Sequence, residues 1–135
     1  MTLDNVLWML TALAAVVVLL TRMRLSAEEQ AGHAQIPLSV VNAHTVVGVA
    51  AIAVWVYYLN SPSDLLGAGS LGLWWLEALI GVLILARWLP GSGKHAADAT
   101  DDSWAQGPSL SILGHVGMVL GVGFITFCVA TGRIV

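Results

Sequence analysis

Four long apolar stretches, separated by short polar segments, leave this chain few ways to fold. They run from Leu3 to Leu20, Leu38 to Leu59, Leu71 to Leu89 and Leu110 to Ala130. Each is close to the roughly 20 residues of helix that span a bilayer core. None has the polar face that a surface helix of a soluble domain would show. The segments between them are RMRLSAEEQAGHAQIP, NSPSDLLGAG and PGSGKHAADATDDSWAQGP. They gather the Pro, Gly, Ser and charged residues typical of loops. Charged residues make up only 10% of the chain, whereas soluble domains carry about 25%. So few charges could not cover a globular surface. The expected fold is all-α: an integral membrane four-helix bundle with up-down-up-down connectivity.

Residues 1–135 then form a single membrane domain, with the lipid bilayer as its solvent. No length remains for a soluble catalytic module, so a subunit is expected rather than a stand-alone enzyme. A net charge of -3 argues against nucleic acid as a partner. The only cysteine, Cys128, falls inside the fourth stretch, which excludes an intrachain disulfide. The opening MTLDNVLWML has no Lys or Arg ahead of its apolar run. It reads as a retained helix rather than a cleaved leader, which would need a basic start.

Charge asymmetry orients the spans. Arg22, Arg24, Arg87 and Lys94 flank the first and third loops, and Arg133 alone lies on the other side. Basic residues collect on the cytoplasmic side. Both termini are therefore expected outside, with loops 23–37 and 90–108 cytoplasmic, in the plasma membrane of a bacterium. Aromatic belts are expected at both interfaces. Trp8, Trp55, Tyr57, Tyr58, Trp74 and Trp75 would lie toward the outer one, and Trp88 and Trp104 at or beyond the inner one.

The two halves resemble one another. Leu7-Trp8-Met9-Leu10-Thr11-Ala12-Leu13 aligns with Leu73-Trp74-Trp75-Leu76-Glu77-Ala78-Leu79, sharing L-W-x-L-x-A-L. PLSVVNAH, from Pro37 to His44, aligns with PSLSILGH, from Pro108 to His115. The offset grows from 66 to 71, as if the second internal loop had gained five residues. The pattern reads as a duplicated two-helix unit, with one repeat over about 3–60 and the other over about 70–131. Such repeats would be parallel, related by an axis along the membrane normal.

The duplication gives each half one intramembrane histidine, His44 and His115, each seven residues after a proline. At about 1.5 Å per residue, both lie roughly 10 Å in from the cytoplasmic face. Ionisable residues within spans usually face the bundle interior. Two imidazoles converging at one depth can ligate a metal, and axial histidine is a common haem ligand. Gly48 follows His44 by one turn, and Gly114, Gly117 and Gly121 surround His115, leaving room for a flat ring. Histidines in paired spans resemble cytochrome-b-like bundles in this general respect, which implies haem b bound by His44 and His115. The alternatives are interhelical hydrogen bonding, another metal or a pigment. Gly117 to Gly121 is also a G-x-x-x-G, a close-packing motif. Met118, one turn from His115, is an alternative axial ligand. The methionines and Cys128 have no copper-binding spacing.

Glu77 is the one carboxylate well inside a span, four to six residues from the outer end of the third stretch. It is a candidate for proton- or quinone-linked chemistry, and its position predicts a place away from the histidine pair. His33 and His95 fall in the cytoplasmic loops, with Asp98, Asp101 and Asp102 near His95; these read as solvated loop residues. GSGK, from Gly91 to Lys94, lacks the first glycine and the final Ser or Thr of a phosphate loop. Three functions follow from the sequence. The first is a membrane subunit carrying electrons through haem b, attached to a larger redox complex. The second is a cofactor-free accessory subunit of a larger membrane complex, or a homo-oligomer. The third is a transporter or channel module built around Glu77.

Overall fold

The computed structural model describes residues 2–30, 36–92 and 108–134, and within these the side chains of 28–30, 88–92 and 108–110 are left undescribed. His33, Lys94, His95, Asp98, Asp101, Asp102 and Trp104, with the Trp88 side chain, lie outside the described residues. The described residues form four helices and no strand. They are α1 (Leu3–Gln30), α2 (Leu38–Asn60), α3 (Asp64–Ser92) and α4 (Pro108–Ala130). Each contains a stretch long and apolar enough to cross a membrane. In hydrocarbon, helices satisfy their own backbone groups, so long apolar runs have little alternative.

Element ends follow local chemistry. Ser63 opens α3 as its cap: its hydroxyl accepts from the Leu66 N–H at 3.3 Å, and its carbonyl from the Gly67 N–H at 2.8 Å. Asp64 places a carboxylate in the first turn, where the helix dipole favours it. At the other end of the chain, Gly132 adopts φ 62° beyond α4. The Arg133 N–H then donates to the Cys128 carbonyl at 2.9 Å and the Gly132 N–H to that of Val129 at 3.1 Å. This is the Schellman closure, and its left-handed residue favours glycine.

Two boundaries differ from the sequence expectation. α1 continues past Leu20 to Gln30, and α3 begins at Asp64 instead of Leu71. The loop read as NSPSDLLGAG shrinks to residues 61–63. Gly67 and Gly69 suggest a loop, yet both lie within α3. Gly67 is there because α2 is close: a Cβ on it would come 3.2 Å from Cε2 of Tyr58. The short connection makes α2 and α3 a tight antiparallel hairpin, the most extensive helix contact in the bundle, while α1–α4 is the loosest of the four seams between adjacent helices.

The exterior is apolar, with Val46 68% and Leu120 70% exposed, as a lipid-facing surface requires. The interior has two apolar clusters. One joins Leu7, Ala14, Ala51, Trp55, Trp74 and Val122; the other joins Leu25, Ile36, Val41 and Ile84. Trp55, Tyr58 and Trp74 are thus core residues rather than belt residues, whereas Trp8, Tyr57 and Trp75 face outward. The early start of α3 explains Trp74, which sits ten residues into the helix. The Trp55 indole N–H is satisfied inside the bundle, donating to the Thr11 hydroxyl at 2.9 Å.

Candidate functional site

Between the two apolar clusters lies a polar layer. Along α2, Val41 belongs to one cluster and Ala51 to the other, with His44 between them. Along α3, Trp74 and Ile84 bracket Glu77 in the same way. His115 enters from α4, and all three polar side chains are buried.

The bundle brings the two histidines together, with ring centroids 6.3 Å apart and planes inclined at 55°. The Nε2 atoms of both rings lie 3.3 Å from the point where a Cβ on Gly81 would sit, and His115 Cδ2 lies 2.9 Å from it. The absence of a side chain at 81 therefore leaves room for the imidazoles to meet.

The far nitrogen of each ring has a protein acceptor beside it. His115 Nδ1 is 2.7 Å from the Ser111 carbonyl. A carbonyl only accepts, so Nδ1 carries the proton and, in the neutral ring, Nε2 presents a lone pair. His115 Nε2 is buried and has no protein partner. His44 Nδ1 stands 3.1 Å from Glu77 Oε1. That approach is close enough for an ion pair but misaligned for a hydrogen bond, so both carboxylate oxygens lack a donor. Histidines that bind metals commonly have the second nitrogen engaged by a carboxylate or a carbonyl.

Glu77 corrects the sequence expectation, which put it toward the opposite face from the histidine pair. With α3 starting at Asp64, Glu77 lies thirteen residues into the helix. The hairpin sets that position level with His44, sixteen residues before the end of α2. Gly48 completes the fit, since a Cβ there would come 2.6 Å from Glu77 Oε1 and 2.8 Å from Val18 Cγ2. Gly48 is a notch for the carboxylate, where the sequence suggested room for a flat ring.

Two spaces border the layer. A small one of about 10 Å³ is lined by His44, Glu77, Gly81, His115 and Met118, among others. This is about enough for one water. A large apolar cleft of about 500 Å³ opens between α1 and α4. Gly114, Gly117 and Gly121 line it, with Thr21, Arg24 and Ser111 also on its wall. Val17, His115 and Met118 border both spaces and so form the partition between them.

Among the described residues, no group of three His, Cys, Asp or Glu side chains forms a metal-binding cluster. No known protein-family model, curated protein or solved structure matches the chain. The residues that sequence reasoning missed are Gly81, the role of Gly48 as a notch, and the Ser111 carbonyl. Gly81 follows Glu77 by one turn, so it shares the face of the one intramembrane acid, and that spacing was the available signal.

Proposed function

We propose that this protein is a small membrane subunit that binds b-type haem through His44 and His115 and carries electrons within the bilayer beside a larger redox complex. The observation that carries this reading is the meeting of the two buried imidazoles beside Gly81, each Nε2 3.3 Å from the position a Cβ would take there, while each Nδ1 lies near an acceptor. With their centroids 6.3 Å apart, His44 and His115 are the residues that would hold the iron of such a group.

The donor set fits iron; the macrocycle needs more than the space between the rings. The about 10 Å³ there must join the α1–α4 cleft, which requires the Val17 and Met118 side chains to move aside. The cleft has the capacity, and its glycines present a smooth wall. Haem, when bound, supplies one-electron transfer. The chain's own part is to orient the two imidazoles, to keep water from them with the flanking apolar clusters, and to leave one cleft wall open to widening. In the proposed arrangement the protein lies in a bacterial plasma membrane with both termini outside.

The test is an absorption spectrum of protein purified from haem-replete cells, with and without dithionite. A reduced-minus-oxidised alpha band, lost in His44→Ala and in His115→Ala, is expected. Folded, colourless protein overturns the reading. The water-sized space between the rings favours a second reading, a cofactor-free accessory subunit in which the His44–Glu77 contact locks α2 to α3. Under it, either histidine substitution lowers stability or assembly, and no spectrum appears.

A further inference from the structure

We propose that Glu77 is the positioning residue of this centre: its carboxylate holds His44 as the Nδ1–H tautomer, with the Nε2 lone pair turned toward His115. The consequence for a bound metal rests on the reading given above; the tautomer assignment does not.

The two histidines reach the same orientation by different means. His115 is held by its own helix, through a backbone carbonyl one turn back. That acceptor survives any side-chain substitution at 111. His44 Nδ1 is faced across a helix interface, at 3.1 Å, by a side chain that α3 supplies and α2 accommodates at Gly48; the proposed bond needs that carboxylate to turn into line with the ring. The other side chains around this polar pocket are apolar or lack an acceptor strong enough to compete: Val17 and Val18 from α1, Ala78 from α3 and Met118 from α4. His115, the remaining neighbour, lies with its Nε2 beside His44 Nε2 at Gly81, away from His44 Nδ1. Glu77 is therefore the one carboxylate within reach of His44 Nδ1 among the described residues.

A carboxylate raises the basicity of the imidazole it backs, and a peptide carbonyl does so less. The two Nε2 donors are thus unequal, with His44 the stronger. An ionised carboxylate there would favour the more highly charged, oxidised state of a bound metal.

The tautomers are readable from the imidazole nitrogens of ¹⁵N-histidine-labelled protein in detergent micelles, with His44→Ala and His115→Ala spectra for assignment. Wild-type protein is expected to show both His44 and His115 as Nδ1–H tautomers. Glu77→Leu should move His44 to the Nε2–H form or to a mixture, with His115 unchanged. Gly48→Ala, whose Cβ would displace the carboxylate while leaving Glu77 in the chain, should move His44 in the same direction, and it decides the matter if Glu77→Leu does not fold. A His44 tautomer that is already Nε2–H in wild type, or unmoved in the folded variants, overturns the proposal. A purely interlocking Glu77 would change stability without moving the tautomer. In protein that carries a haem band, Glu77→Leu should also weaken haem binding about 10–100-fold and raise the reduction potential. Absence of that band in wild type defeats the haem reading, and the nitrogen spectra still decide the role of Glu77.

Discussion

Gly81 and Gly48 are small for different reasons, and each reason has a measurable consequence. Gly81 gives the two imidazoles room to meet; Gly48 receives the Glu77 carboxylate. At Gly81 an added methyl would meet His115 Cδ2 at 2.9 Å, a ring held by its own hydrogen bond. Overpacking of that kind costs about 1–3 kcal/mol. Gly81→Ala is therefore expected to lower the unfolding midpoint in detergent and to weaken any haem band. Gly69, Gly117 and Gly123 have nothing within 4 Å of such a methyl. Gly117→Ala is expected to leave stability within about 0.5 kcal/mol. The same denaturation series checks both, and equal losses at 81 and 117 would mean that the imidazoles do not need the space. Glu77 and the histidines were legible as intramembrane polar residues because such residues are rare in a span. Their contact was not legible, since it depends on where α3 begins.

The helices are tied in pairs by polar contacts that hydrocarbon cannot replace. Arg22 donates to Asn42 Oδ1 at 2.6 Å near one end of α1 and α2. Trp55 and Thr11 join the same two helices deeper in the bundle, where Thr11 also donates to the Leu7 carbonyl at 2.7 Å. Trp75 donates to Thr126 at 3.1 Å between α3 and α4. Thr11→Val would leave the Trp55 N–H buried without an acceptor. The expected loss is about 1–3 kcal/mol. At the half-exposed Trp75, Thr126→Val should cost about 0.6 kcal/mol, the average for such bonds in membranes. Thermal or denaturant unfolding of the two variants in one detergent checks the order. Four helices could be read from the sequence because a run of apolar residues needs no partner to be recognised. The ends of α1 and α3 could not. The polar end of α1 and the glycine-rich start of α3 resemble loops until packing is known.

At the scale of the whole bundle, α2–α3 is its tightest seam and α1–α4 its loosest. We propose that the chain arose by duplication of a helix pair. Those two seams would then be counterparts, and Glu77 against Thr11 is the substitution that distinguishes them. In one seam a carboxylate meets a histidine. In the other, Thr11 is drawn away toward α2, where it accepts from Trp55, and a cleft of about 500 Å³ stays open beside His115. Orientation is testable independently of any cofactor. In a Cys128→Ser background, Ser61→Cys lies in the connection between α2 and α3. With both termini outside, a membrane-impermeant maleimide should label it in intact cells. Labelling confined to inverted vesicles would reverse the topology.

The sequence by itself determined that the chain makes four apolar helices, each long enough to cross a membrane, and that each of α2 and α4 carries one histidine seven residues past a proline. These are properties of composition and spacing along one helix, and they hold whatever the packing. Only the tertiary structure decided that Glu77 joins the histidines, that Gly48 and Gly81 make room for them, and that the open cleft lies between α1 and α4. Those facts depend on the register between helices, set by a three-residue connection and by side-chain fit across interfaces. A short loop converts a count along the chain into a level in the bundle, and no single stretch of sequence contains that count.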